Sequence, residues 1–183
     1  MFLVAFGLAA ILLARLRGGR FIRLANLPLR HSYLIVVGLL LQVLIFSPWW
    51  RQRMGTELTP SLYILSMGIV LAALLLNFRL PGMVLVTLGL CLNLLALTAN
   101  GGYMPASPDS LRKAGFGERL APGAETVWNN SSIINEDTRL RCLADNFAIP
   151  AGWPLANVFS IGDVVLALGV SRLIYVTMML GDP

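Results

Sequence analysis

An all-α bundle of membrane-spanning helices is the fold class this sequence predicts, and three observations predict it. The 183 residues are 57% hydrophobic and 13% charged, about half of the roughly 25% charge with which soluble domains keep a wetted surface. The apolar residues fall in runs near the roughly 20 residues of helix that cross about 30 Å of hydrocarbon. The basic residues behind the net charge of +5 gather in one short segment, which is how retained loops of membrane proteins look and not how a nucleic-acid surface looks. The same composition excludes a disordered chain, a disulfide scaffold and a cytosolic enzyme.

Five runs follow in order within one integral membrane domain spanning residues 1–183. Met1 to Ala14 falls below the usual minimum of about 17 residues, and Arg15, Leu16 and Arg17 extend it to a short span if the guanidinium groups snorkel to the interface. Its positive charge follows the apolar stretch instead of preceding it, so it does not read as a cleaved signal peptide. The loop from Arg15 to His31 holds Arg15, Arg17, Arg20, Arg23 and Arg30 without an acid, which places it in the cytoplasm, where these side chains fix topology and can meet anionic headgroups. Ser32 to Trp50 is the second span and ends on Trp49-Trp50, a pair suited to an interfacial aromatic belt. Pro60 to Phe78 is the third, and the tight turn from Asn77 to Pro81 returns Arg79 to the inside. Gly82 to Ala99 is the fourth, and Val158 to Leu180 is the fifth, with Arg172 toward its cytoplasmic end. The predicted threading has the N-terminus outside and the C-terminus inside a bacterial inner (plasma) membrane. If the first run only lies in the interface, four spans remain and both termini are cytoplasmic.

Between the fourth and fifth spans, Asn100 to Asn157 forms an external segment of 58 residues. Gly101-Gly102 ends the fourth helix through a left-handed cap. Ser107-Pro108-Asp109 is an N-cap, a first-turn proline and a first-turn acid, and Gly115 is a stop, so a short helix is predicted from Pro108 to Ala114. A looser stretch with Gly117, Pro122, Gly123 and Asn129-Asn130 follows. Leu140, Leu143 and Phe147 then recur at helical spacing among charged residues, which predicts a second, amphipathic helix over Asn135 to Phe147. No strand is predicted.

Asp163 is the most informative residue, since a carboxylate within a span costs on the order of 2.5–3.5 kcal/mol at mid-membrane. Its structural reading is a helix N-terminal acid, with Ser160 as the cap three residues earlier. Its functional reading is a proton or ligand group. Asn93 falls in the outer half of the fourth span and can approach Asp163 and the Asn100 loop, so Asp163, Asn93, Asn100 and Ser160 form the candidate polar site. Interhelical hydrogen bonding, at about 0.6 kcal/mol per bond, is the plainer reading of Asn93, Asn77 and Gln42. Ala167 and Ser171 add a small-residue stripe for helix packing. No catalytic constellation is legible. The single histidine, His31, falls on the cytoplasmic side, away from Asp163, and Cys91 and Cys142 are isolated. Cys142 is an odd external thiol, reactive or intermolecular or, as the commoner case, buried, and neither a metal site nor a cofactor motif is expected.

The stretch Asn100-Gly101-Gly102-Tyr103-Met104-Pro105, then Ser107-Pro108, and Phe159-Ser160-Ile161-Gly162-Asp163-Val164 opening the last span, resemble an uncharacterised bacterial family of small multi-pass membrane proteins. Gly18-Gly19 and Leu29-Arg30 in the arginine loop are similar to it as well. The family is one of unknown function, so the resemblance implies a natural multi-pass fold and no activity.

Three functions fit these observations. The first is a non-catalytic accessory or assembly subunit of a larger membrane complex, with the lipid bilayer and other subunits or a second copy as partners. The second is a small transporter or channel-like protein using the Asp163 and Asn93 region. The third is a membrane enzyme acting on lipid through external carboxylates such as Asp145 and Asp163. Nucleic acid is not an expected partner.

Overall fold

The computed structural model describes residues 2–54, 57–121, 123, 127–128 and 130–180; Met1, Pro122, Asn129 and Gly181-Asp182-Pro183 lie outside the described residues. Eight α-helices are found among them: α1 (Phe2–Leu16), α2 (Ile22–Ala25), α3 (Ser32–Ile45), α4 (Pro48–Met54), α5 (Thr59–Leu76), α6 (Met83–Ala99), α7 (Pro108–Lys113) and α8 (Ile161–Met179). Helices α5 and α8 are long and apolar enough to cross a membrane, and α3 with α4 would make a third such unit although they meet at a 66° bend. Helices α1 and α6 are apolar but shorter.

The bend corrects the expected continuous span from Ser32 to Trp50. Ser47-Pro48 starts a new helix, because proline cannot donate the amide that would continue α3. The freed Trp50 amide instead donates to Ser47 Oγ at 3.1 Å. Trp50 is thereby turned inward and buried, whereas Trp49 stays exposed, so the two do not form one aromatic belt.

The long helices pack as a single row in the order α1, α8, α6, α5, α3, through the four closest helix contacts of the fold. Neighbours alternate in direction except α1 and α8, which run together. Phe2 stacks on Phe159 just before α8, and Arg17 at the far end of α1 donates to Tyr175 Oη near the end of α8. One end of the row thus carries the arginine segment, the turn after α5 and the end of α8. The other carries the described residues between Asn100 and Asn157, which fold over it as a cap.

Glycines set the closest approach. On the α6 side Gly82 and Gly89, and on the α8 side Gly162 and Gly169, recur seven residues apart, and each faces the backbone or a side chain of the opposite helix. A Cβ on Gly89 would stand 2.5 Å from the Leu166 amide nitrogen and 2.6 Å from the Gly162 carbonyl oxygen. Backbones this close leave no room for any side chain, as in small-residue helix interfaces generally. The Ala167 and Ser171 stripe serves a different neighbour, since Ser171 Oγ donates to the Phe6 carbonyl of α1 at 3.3 Å.

Two asparagines close the ends of α5 and α6 by the same device. Asn77 Nδ2 donates to the Ala73 carbonyl one turn back and to the Arg30 carbonyl, while its Oδ1 accepts from the Arg30 amide. Asn100 does the same with Ala96 and with both backbone groups of Arg139. Each side chain thus satisfies a helix-end carbonyl and clamps a remote loop. Replacing buried Asn77 by the similarly sized Leu leaves the two Arg30 backbone groups and the Ala73 carbonyl unmet, and is expected to cost about 2–4 kcal/mol. The check is the thermal midpoint of the purified protein in mild detergent, and an unchanged midpoint would sink this account of the clamp.

The cap corrects the all-helical expectation. Helix α7 forms where predicted, closed by Gly115 at φ 87°, but strands β1 (Met104–Ala106), β2 (Val127–Trp128), β3 (Ser131–Ile133), β4 (Phe147–Ile149) and β5 (Asn157–Phe159) build two small sheets. Strand β1 pairs parallel to β3, which pairs antiparallel to β2, and β4 pairs antiparallel to β5. The amphipathic helix expected over Asn135 to Phe147 is absent. Asn135 and Thr138 close a turn through their side chains, Leu140 takes a left-handed conformation at φ 51°, and one 3-10 turn, Arg141–Leu143, precedes β4. The Arg141 guanidinium holds this irregular path by donating to the carbonyls of Asn135, Glu136 and Thr138. Local spacing was outweighed by side-chain-to-backbone bonding.

Candidate functional site: a polar cleft beneath the cap

A cleft of about 350 Å³ opens between the cap and the adjoining ends of α5, α6 and α8, and Tyr63, Asn93, Asn130, Asp145, Asn157 and Asp163 bring its polar groups. Met67, Leu97, Met104, Phe116 and Val158 supply apolar wall.

Asp163 stands in the first turn of α8. Ser160 Oγ accepts from the Asp163 amide at 3.0 Å while the Ser160 amide donates to Asp163 Oδ2 at 2.9 Å, a complete capping box. The second carboxylate oxygen accepts from Asn93 Nδ2 at 2.7 Å, and Ser160 Oγ donates to Asn93 Oδ1 at 2.8 Å. Asn93, Ser160 and Asp163 are therefore one hydrogen-bonded unit joining α6 to α8. It fits because Gly162 is glycine: a Cβ there would run into Asn93 Oδ1. Asn100, the fourth candidate, is not brought to this cleft, since its amide is spent on Ala96 and Arg139.

Asp145 is the residue that the sequence reading underrated. Its backbone is pinned to β1, with the Asp145 amide donating to the Pro105 carbonyl at 2.8 Å and the Ser107 amide donating to the Asp145 carbonyl at 3.1 Å. Pairing along Ala106 leaves its side chain lining the cleft. Asp145 is only 8% exposed, yet among the described residues its carboxylate has no hydrogen bond and no ion pair. Burial pushes its carboxyl up to about 7, and the Asp163 charge adds to the shift. Two carboxylates thus share the cleft, the first held by its capping box and Asn93 and the second without a partner among the described residues. The signal for Asp145 in the sequence is weak, since its burial depends on the parallel bridge to β1.

Asn130 Nδ2 donates to Tyr63 Oη at 3.3 Å, a long bond that leaves Asn130 Oδ1 and a lone pair on the phenol available. The Arg119 guanidinium also lines the cleft and lies 4.6 Å over the Phe116 ring.

The basic segment assembles at the opposite end. Arg15 donates to the Gly19 carbonyl, Arg23 and the Arg20 amide donate to the Met178 carbonyl at the end of α8, and Arg17 reaches Tyr175. Cations on the last carbonyls of a helix are favourably placed against its dipole. Arg30 holds Asn77 through its backbone, and Arg172 lies with Arg79 beside the turn at Gly82. His31 pairs with Tyr33 Oη at 3.3 Å, far from the cleft. No group of three or more His, Cys, Asp or Glu side chains that could hold a metal ion occurs among the described residues. Cys142, expected to be buried, is exposed, and Cys91 is partly buried.

A family model described as a family of unknown function matches residues 26–175, a stretch that takes in the cleft and the cap but not Gly18-Gly19. No curated protein and no solved structure matches the chain.

Proposed function

This chain belongs to DUF5317, a family of unknown function, and we propose that it is a multi-pass membrane protein that binds a small solute in the cleft beneath its cap, as a carrier or binding component. In this reading the five long helices span the plasma membrane of a bacterium with the N-terminus outside and the C-terminus cytoplasmic. The arginine segment then lies on the retained side and residues 100–157 outside. The single observation that carries the binding role is the buried Asp145 carboxylate, without a partner among the described residues, on the wall of a 350 Å³ cleft. A buried charge without a partner destabilises the empty fold, and such groups are kept where function needs them.

A screen of the purified protein against small solutes tests this reading. A solute that raises the thermal midpoint of the native chain should lose its effect in Asp145→Asn and keep it in Asp109→Asn, an exposed acid paired to Arg112 on α7. No midpoint shift with any solute would count against binding. The proposed sidedness has its own check: on intact cells an impermeant maleimide should label exposed Cys142 and spare Cys91, and labelling of Cys142 only after lysis would reverse the orientation.

An assembly-subunit role is the second reading, and the single-row packing favours it. Among the described residues α3 packs chiefly on α5 of the long helices, and its residues Val36, Val37, Leu40 and Val43 are exposed. A row open at both edges offers faces to lipid or to other subunits. Co-purification of a stoichiometric second protein in mild detergent would support this role, and a monodisperse monomer would count against it.

A further inference from the structure

We infer that the solute taken by the cleft is a small primary ammonium cation, its charged head on Asp145 and its hydrocarbon on the apolar wall; this deepens the binding role proposed above and rests on it. Two carboxylates and one guanidinium line the cleft, so its balance of charge favours a cation. Asp163 is already engaged by Asn93 and by its own capping box, which leaves Asp145 as the carboxylate with nothing to bind. An ammonium head has three N–H donors. Asp145, the phenol oxygen of Tyr63 and Oδ1 of Asn130 are acceptors on the same lining with capacity to spare.

Two features set an ammonium apart from a metal ion. A divalent cation takes about six or more oxygen ligands and is usually held by several carboxylates, whereas Asp163 is already engaged and no group of three His, Cys, Asp or Glu side chains occurs among the described residues. The lining is mainly polar, and Met67, Leu97 and Met104 give it a smaller apolar part that a bare ion cannot use and a short alkyl chain can touch. The size is limited too. A cleft of about 350 Å³ holds on the order of ten waters at about 30 Å³ each, so a solute of roughly ten heavy atoms fills it.

The test uses the full chain in nanodiscs at pH 8, with n-propylammonium, tetramethylammonium, potassium, 1-propanol and propionate as probes, read by thermal midpoint and by calorimetric titration. The expected result is that n-propylammonium binds and raises the midpoint, while tetramethylammonium, which has no N–H to donate, and potassium do neither. Asp145→Asn should weaken n-propylammonium at least a hundredfold. Tyr63→Phe, which keeps the ring and removes one acceptor, should weaken it about fivefold, so the inference can be tested even if the Asp145 variant fails to accumulate. If 1-propanol or propionate binds as well as n-propylammonium, the ammonium assignment is overturned and the cleft remains a binding site for another class. If none of the probes binds, both the assignment and the binding role lose their support.

Discussion

Replacing Asp145 by Asn is expected to make the protein more stable above neutral pH. The Asp145 carboxyl titrates near 7 in the folded chain against 3.8 as its ordinary value, so between those pH values the folded state holds a proton that the unfolded state has lost. The sign is opposite to that of a salt-bridged aspartate. The stability belonging to this group is complete below about pH 4, falls as the pH rises, and is lost once the pH passes about 7. The shift sets an upper bound of about 4 kcal/mol at 1.36 kcal/mol per unit. The Asn variant, neutral throughout, is expected to exceed the native chain by on the order of 2–4 kcal/mol at pH 8 and to match it at pH 4. Thermal midpoints of the two proteins across that range give the comparison. A variant that melts lower than the native chain at pH 8 would show that the carboxylate is held by a favourable contact, and the case for a vacant binding group would fall with it.

The second large effect is expected at the α6–α8 contact. Gly89→Ala sets a methyl group against the Leu166 amide and the Gly162 carbonyl, and backbone cannot turn aside as a side chain can. Overpacking usually costs about 1–3 kcal/mol, and here the two helices must separate along their length. That separation also pulls Asn93 from Asp163, so the variant should lose both midpoint and accumulation in the membrane. Gly68→Ala in α5 is the matched control: a Cβ there meets nothing within 4 Å, and alanine is the better helix former by up to about 1 kcal/mol. Gly68→Ala should therefore be neutral or stabilising. Equal losses at the two positions would mean that glycine matters here for something other than close packing.

These two predictions differ in how far the sequence foretold them. The helix limits were legible because glycine, proline and capping chemistry act within a few residues. Gly101-Gly102 stops α6, with the Gly102 amide donating back to the Leu97 carbonyl at 2.8 Å, and Ser160 and Asp163 form the box that their spacing suggested. The approach of Asn93 to Asp163 was legible too, because Asn93 lies within about two turns of the end of α6 and Asp163 within one turn of the start of α8, and both of these ends face the cap. The break at Ser47-Pro48 carries the same signature as Ser107-Pro108, yet it sits inside a run apolar enough to mask it.

What the sequence hid depends on contacts between distant segments. The seven-residue spacing shared by Gly82 and Gly89 with Gly162 and Gly169 becomes meaningful only once α6 and α8 are known to be neighbours. Residues 135–147 have helical spacing of apolar groups, but Leu140 and Phe147 are both exposed in the fold. Asp145 looked like one of six external acids. Its pairing beside Ala106 sets it under the cap, and a parallel pairing across 39 positions leaves no local trace.

The most direct test is an infrared titration of the carboxyl C=O band, comparing the native chain with Asp145→Asn from pH 4 to 9, with and without n-propylammonium. The account predicts a protonated-carboxyl band in the native chain that is absent from the variant, disappears with a midpoint near 7, and disappears at lower pH once the ammonium is added. A difference band with its midpoint near 4, or a midpoint that n-propylammonium leaves in place, would contradict it.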